Sequence, residues 1–314
     1  MWLTRLAHAL FVKDGRLRPI FRSLVYLICA YVFAELLAAL VAAIALSAGL
    51  SPLALTTMAS YPAQLISEGC LCASAVGVAL LMRRWIDRRS VSSLGLSFGR
   101  GWARLLLIGV AFGAGMQAIV FAADAALGYS HVIGFAGAGT DAIELVKYVP
   151  VLAAVAIAEE TIARGYLFQN IWEEWGVVAA ALITSALFAA GHLGNPNSHV
   201  QLALTLCGLL AYALWACLSV IWTRSLWLVI GLHFSWNLFE GPIFGFPVSG
   251  LGFGESAITQ TVSGPSWFTG GAFGPEAGAS ALLVLALGVA VLWWLHRAGA
   301  LAAASSVREA YAAP

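Results

Sequence analysis

Eight apolar stretches separated by short polar joints run along the chain, at about 24–46, 63–82, 103–127, 146–168, 177–191, 200–222, 226–239 and 279–295. Most approach the ~20 residues that a helix needs to cross the hydrocarbon core of a bilayer. The fifth and seventh are shorter. They suit either a tilted bundle in thinned lipid or helices that begin partway through the membrane and line a protected cavity. Each carries a histidine, His192 at the end of the fifth and His233 within the seventh. The pattern predicts an all-α, polytopic membrane helical bundle of about eight transmembrane segments, forming a single integral membrane domain over residues 1–314.

Composition agrees with the pattern. The chain is 61% hydrophobic and 10% charged, with mean hydropathy +0.90, whereas a soluble domain carries about 25% charged residues. The net charge of +1 and the lack of any Lys/Arg-rich tract give no sign of nucleic-acid binding. Cys29, Cys70, Cys72, Cys207 and Cys217 all fall inside apolar stretches. A small hydrophobe is their expected role, and Cys70 and Cys72 point about 200° apart on a helix, which makes a poor metal site.

Orientation follows from the basic residues. Arg5, Lys13, Arg16, Arg18 and Arg22 precede the first stretch, and Arg83, Arg84, Arg88, Arg89, Arg100 and Arg104 lie between the second and third. Arg224 follows the sixth, and Arg297 and Arg308 follow the eighth, so an eight-span order puts 14 of the 16 Lys and Arg on one side. Lys147 falls opposite and Arg164 within a span. Positive residues favour the cytoplasm, so both termini are expected there. The alanine-rich spans and simple loops point to a prokaryotic inner (cell) membrane. Trp2, Leu3, Leu6, Ala7, Leu10 and Phe11 fall near one helical face ahead of basic residues, which predicts an interfacial helix and an uncleaved first span. Trp172, Trp175, Trp222, Trp227, Trp293 and Trp294 stand near segment ends as expected interfacial anchors. Residues 241–278, with ten Gly and four Pro, predict an irregular non-cytoplasmic loop. It directly follows the second histidine segment and carries Phe244, Phe246, Phe253, Trp267 and Phe268, as a connector or as a lid that guides substrate.

Chemistry concentrates in Glu159-Glu160-Thr161-Ile162-Ala163-Arg164, three charges in an otherwise apolar run. A charged side chain at a helix centre costs about 2.5–3.5 kcal/mol on insertion scales, so such groups face a cavity and act there. Glu160 and Arg164, four apart, share a helical face and can pair, while Glu159 is rotated about 100° away and stays free for acid/base work. Load-sharing that fixes helix packing is the bland alternative. Phe188 precedes His192 by four residues, and Asn237 follows His233 by four, so each pair shares a face. A glutamate with two histidines can hold a metal or activate water directly, and His233 with Asn237 can donate to an oxyanion. The chain has no His-Glu-x-x-His, no Gly-x-Ser-x-Gly and no paired aspartates in a span, which argues against the zincin, serine and aspartyl types of intramembrane protease.

Glu159-Glu160-x-x-x-Arg164, Phe188-x-x-x-His192 and His233-x-x-x-Asn237, in this order on three apolar segments, resemble the three signature motifs of the CAAX prenyl endopeptidase and bacteriocin-processing family, also called the Abi family. The resemblance covers residues 146–240 in its core; Leu94-Gly95-Leu96 and the run from Thr269 to Gly274 look like weaker family features. It implies an intramembrane endopeptidase that cuts membrane-associated peptides or proteins. Glu159 with His192 would activate water, His233 and Asn237 would stabilise the oxyanion, and Glu160, Arg164 and Phe188 would support the site. It leaves open whether the cofactor is a divalent metal such as zinc, held by Glu159, His192 and His233, or none. Two rivals stand beside it. One is a secondary transporter or channel in which Glu35, Glu68 and Asp124 extend an intramembrane relay. The other is a non-catalytic family member that binds partners, with Gly109-x-x-x-Gly113 serving helix association.

Overall fold

The computed structural model describes residues 12–13, 16–56, 60–137, 140–254 and 256–301. The expected interfacial helix over residues 2–11 lies outside them, as does Arg308. A short antiparallel pair, β1 (Val12–Lys13) with β2 (Arg16–Leu17), precedes a helical bundle. The bundle comprises α1 (Pro19–Ser47), α2 (Tyr61–Leu81), α3 (Trp102–Ala126), α4 (Thr140–Glu160), α5 (Phe168–Gly191), α6 (Leu202–Thr223), α7 (Trp227–Leu238) and α8 (Ala279–Arg297). Six helical stretches among the described residues are long and apolar enough to cross a membrane. One of them runs over Ile143–Gly194, joining two stretches that the hydropathy pattern separates. The separation is real in the backbone, because Gly176 at φ 84° and ψ 169° breaks the helix just before Val177.

Pro19 opens α1 at a position where its missing N–H costs nothing. Along α1, Leu24, Ile28, Val32, Leu36, Leu40 and Ile44 are exposed at four-residue spacing. This outward apolar stripe is what a lipid-facing helix requires. The seventh stretch differs. At 12 residues, α7 is roughly 18 Å long, short of the ~30 Å hydrocarbon core, and almost every one of its residues is buried. It is therefore an inner helix sheltered by its neighbours.

Close backbone approach holds α7 in place. A Cβ on Gly109 would stand 1.9 Å from the Leu228 carbonyl oxygen, and one on Gly113 would stand 2.4 Å from that of Leu232. The Gly109-x-x-x-Gly113 pair thus seats α3 on α7 within one chain, rather than being left open for a partner. Leu94-Gly95-Leu96 is structural as well. Gly95 lies at φ 87° and its carbonyl accepts the Leu226 N–H at 2.9 Å, tying the start of α7 to the segment before α3. Gly113→Leu is expected to destabilise the fold by about 1–3 kcal/mol or more through overpacking. Thermal unfolding in detergent measures it, and an unchanged melting temperature would refute the close-packing account.

Two polar ends frame the bundle. At one, Asp87 pairs with Arg22 at 2.6 Å and with Arg83 at 3.2 Å, and accepts from Tyr166. Glu173 meets Arg22, Arg83 and Arg89, and Glu174 meets Arg18. Arg22 and Arg83 are buried, so several arginines that suggest orientation also clamp α1, α2 and α5 together. Asp87→Ala is expected to cost about 3–5 kcal/mol, because it removes the nearest carboxylate of two buried guanidinium groups and leaves them the longer contacts to Glu173; a chemical or thermal melt reads the loss.

At the other end, β3 (Ser130–Phe135) pairs antiparallel with β4 (Ile258–Val262), Ser130 opposite Val262. The long stretch after α7 contains no long helix among its described residues, as expected, yet β4 gives it order that its glycines conceal. Of the tryptophans expected at interfaces, Trp175, Trp293 and Trp294 are exposed. Trp227 is instead buried, packed beside Trp102, with its indole N–H donated to the Ser97 carbonyl at 2.9 Å.

Candidate active site

Three elements bring the predicted residues together. Glu159 and Glu160 end α4, and the chain passes directly into a π-helical segment, Thr161–Leu167, that carries Arg164. His192 lies just beyond α5, and His233 and Asn237 lie on α7. Wide turns of this kind often mark functional sites because they displace side chains from the regular α-helical phase.

The two glutamates have separate environments. Glu160 is fully buried and is approached by Arg164 Nη1 at 3.1 Å, by His233 Nδ1 at 2.9 Å and by the Tyr212 hydroxyl at 3.2 Å. Arg164, also fully buried, stacks over the Phe188 ring with Cζ 4.4 Å from its centroid. Phe188 therefore faces both the guanidinium and the imidazole of His192, whose ring lies 4.6 Å away. Glu159 remains partly exposed, and its Oε2 has no hydrogen-bond partner among the described residues. The side chains thus separate as the helical spacing of Glu159, Glu160 and Arg164 predicts.

Both histidines are oriented by their Nδ1 atoms. His192 Nδ1 is 2.9 Å from the Phe188 carbonyl oxygen, which can only accept, so Nδ1 carries the proton. His233 Nδ1 donates to the Glu160 carboxylate. The two Nε2 atoms are left facing Glu159 Oε2, each at 3.9 Å. That gap is too long for a direct hydrogen bond, and a water at about 2.8 Å from each group would bridge it. Asn237 lines the same cavity and its amide has no protein partner among the described residues. An unengaged amide beside oriented imidazoles is a ready donor to an oxygen that gains charge.

Among the described residues, no group of three or more His, Cys, Asp or Glu is disposed to hold a metal ion. Glu159 Oε2 lies 3.9 Å from the Nε2 atoms of both His192 and His233.

The cavity, of about 120 Å³, is lined by Glu159, His192, His233 and Asn237 together with Phe188, Tyr212, Trp236, Asn195, Ser249 and Glu276. Val248, Leu251 and Phe253 from the stretch after α7 complete its wall. Glu159 and His192 also border a second cleft of about 310 Å³, whose other walls include Leu27, Tyr31, Leu71, Ile162 and Leu187. Of the further intramembrane carboxylates, Glu35 lines a cleft between α1 and α2, Glu68 on α2 is near enough for Glu159 to act on it electrostatically, and Asp124 is buried on α3 without a side-chain hydrogen bond among the described residues. None of the three lines the cavity that holds the two histidines.

Sequence reasoning missed Tyr212, Glu240 and Glu276. Tyr212 is one residue in a continuous apolar run and has no local signal of its own. Glu276 had one, since it follows the glycine-rich run Thr269–Gly274 by two residues. A Cβ at Gly274, which lies at φ 107°, would stand 2.1 Å from the Pro247 carbonyl oxygen, so the glycine lets the chain that carries Glu276 turn over the cavity.

No curated protein and no solved structure matches the chain. Residues 141–239, which run from α4 to the end of α7 and carry every motif residue of the cavity, match the family described as Type II CAAX prenyl endopeptidase Rce1-like, and a domain of that family is identified over this segment.

Proposed function

We propose that this chain is an intramembrane endopeptidase that hydrolyses a peptide bond of a membrane-associated peptide or protein. The convergence of His192 Nε2 and His233 Nε2 on an unpaired Glu159 carboxylate carries this reading. Glu159 takes a proton from a water held against His192, and the resulting hydroxide attacks the scissile carbonyl. Charge then develops on the carbonyl oxygen, which the Asn237 amide and a protonated His233 Nε2 stabilise. Glu160 supports that imidazolium through Nδ1, and Arg164 holds Glu160. Collapse of the tetrahedral intermediate expels the amine, which takes the proton from Glu159.

The second cleft supports a substrate that arrives from the side of the bundle, because its apolar walls lead to the same Glu159 and His192. We further propose eight membrane segments with both termini on the arginine-rich side, which is taken as cytoplasmic. In that order Glu173 falls at the arginine-rich end and the β3 and β4 loops fall together at the opposite end, and both placements agree with the observed pairings.

The test is cleavage of quenched fluorogenic peptides by the purified protein in lipid nanodiscs, with products identified by mass spectrometry. Cleavage by the native chain that is lost in His192→Ala, at matched folding, supports the assignment; cleavage that survives in His192→Ala rejects it. Activity is expected to persist after dialysis against a chelator. Loss on chelation with recovery on adding zinc would make Glu159, His192 and His233 ligands instead. Phe253→Ala and Leu251→Ala are expected to alter side-chain preference near the cut by several-fold, since these residues form a cavity wall. An unchanged preference would reduce the stretch after α7 to a connector.

A further inference from the structure

The site is short of positive charge. Glu159, Glu160 and Glu276 line or adjoin the cavity, and Glu240 stands behind Glu276, near enough for the two carboxylates to repel. Against these four, Arg164 is the guanidinium present, and it is committed to Glu160. Two imidazoles complete the set. Four ionised carboxylates would outnumber the cations even with both imidazoles protonated, and burial resolves this by pushing Glu240 well above, and Glu276 above, the ordinary carboxylate range.

Glu240 is the least compensated of the four. Its side chain is fully buried and neither oxygen has a hydrogen-bond partner among the described residues. The Trp236 indole N–H and the Glu276 backbone amide lie nearby, outside hydrogen-bond geometry. An unpaired buried carboxylate is expensive to ionise, so the pair holds protons until a cation comes beside it.

Glu276 is also built into position. Its carboxylate accepts the Ser249 hydroxyl, and the Ser249 carbonyl in turn accepts the Asn195 amide at 3.0 Å. Its backbone carbonyl lies where any side chain at Gly208 would collide, 1.7 Å from an added Cβ. A Cβ at Gly274 would come within 3.2 Å of Glu240 Oε1. Two glycines thus permit the approach of the pair, and Glu276 opens on the cavity that holds His192, His233 and Asn237.

We propose that Glu276, backed by Glu240, is a cation-recognition subsite of this cavity that binds a primary ammonium or guanidinium group of the substrate, a lysine or arginine side chain close to the scissile bond. The proposal rests on the peptidase reading. A cation there pairs with the carboxylate it ionises in a water-poor pocket, whereas a neutral side chain of equal length forms no charge pair, and a negative one meets only carboxyl groups.

The experiment uses the full chain in nanodiscs and a set of quenched decapeptides that differ only in which position carries lysine, norleucine or glutamate. At one position, lysine is expected to exceed norleucine by about tenfold or more in kcat/KM. Glu276→Gln should bring that ratio near one, Glu276→Asp should keep the preference, and Glu276→Lys should invert it towards glutamate. Because the readout is a ratio within each variant, a change in overall activity does not affect it. Wild-type cleavage without lysine preference at any position, or a ratio that survives in Glu276→Gln, overturns the subsite. If no peptide is cut, fluorescence anisotropy of labelled lysine and norleucine peptides decides. Lysine-dependent binding lost in Glu276→Gln retains the subsite while the peptidase reading falls, and equal binding of both peptides overturns the subsite.

Discussion

Glu159→Gln is expected to lower kcat for peptide hydrolysis by about 10²–10⁴, the usual contribution of a positioned general base, with KM nearly unchanged and the melting temperature equal to or above that of the native chain. The combination identifies the role. Glutamine has the same shape and cannot take the proton of water. The Glu159 Oε2 atom has no hydrogen-bond partner to lose among the described residues, so the substitution removes a charge that the fold does not use. A packing role would give the reverse: lower stability with activity falling in proportion. Steady-state kinetics on the purified variant, beside a thermal melt, separates the two outcomes.

Arg164→Ala should act in the opposite way, primarily on the fold. Glu160 and Arg164 are both fully buried, with 3.1 Å between Oε2 and Nη1. Removing the guanidinium leaves a buried carboxylate uncompensated and is expected to cost about 3–5 kcal/mol, with a cavity beside Phe188 and Tyr212 in addition. The double replacement Glu160→Gln with Arg164→Met should recover much of that stability, because an apolar or neutral pair of similar volume often matches a buried ion pair. Activity should not recover with it. The Glu160 carboxylate holds His233 through Nδ1, and a neutral amide supports an imidazolium less well. A double-mutant cycle on melting temperature and kcat measures both effects. Stability restored together with full activity would show that the charges at Glu160 and Arg164 serve packing only.

What is legible in the sequence follows from distance along the chain. The division between Glu159 and the Glu160 and Arg164 pair depends on helical phase over six residues, and it holds although a π-helical turn begins at Thr161. The shortness of the seventh apolar stretch suits either a tilted bundle or a helix that lines a cavity, and His233 and Asn237 of the buried α7 do line one. His233 as the partner of Glu160 is 73 residues away, and no local pattern encodes that contact. Tyr212 hides in an apolar run because a tyrosine body packs like any hydrophobe and only its hydroxyl reports the carboxylate. Asp87 sits among arginines and reads as part of a polar joint, whereas it is the buried centre of a clamp. The β3–β4 pairing is obscured for a similar reason, since each strand is short and set among glycines, and the pairing spans more than a hundred residues.

The π-helical turn between Thr161 and Leu167 has a consequence for tolerance to change. A single-residue deletion there would close the wide turn to regular α-helix, which leaves the helices on either side nearly in phase and loses the displacement that the wide turn gives its own side chains. The residues of the wide turn, Arg164 among them, would then be re-aimed even though every motif letter remained in order. The site is thus specified by a count as well as by an alphabet, and length variation in these seven residues should be purged more strictly than most substitutions among them.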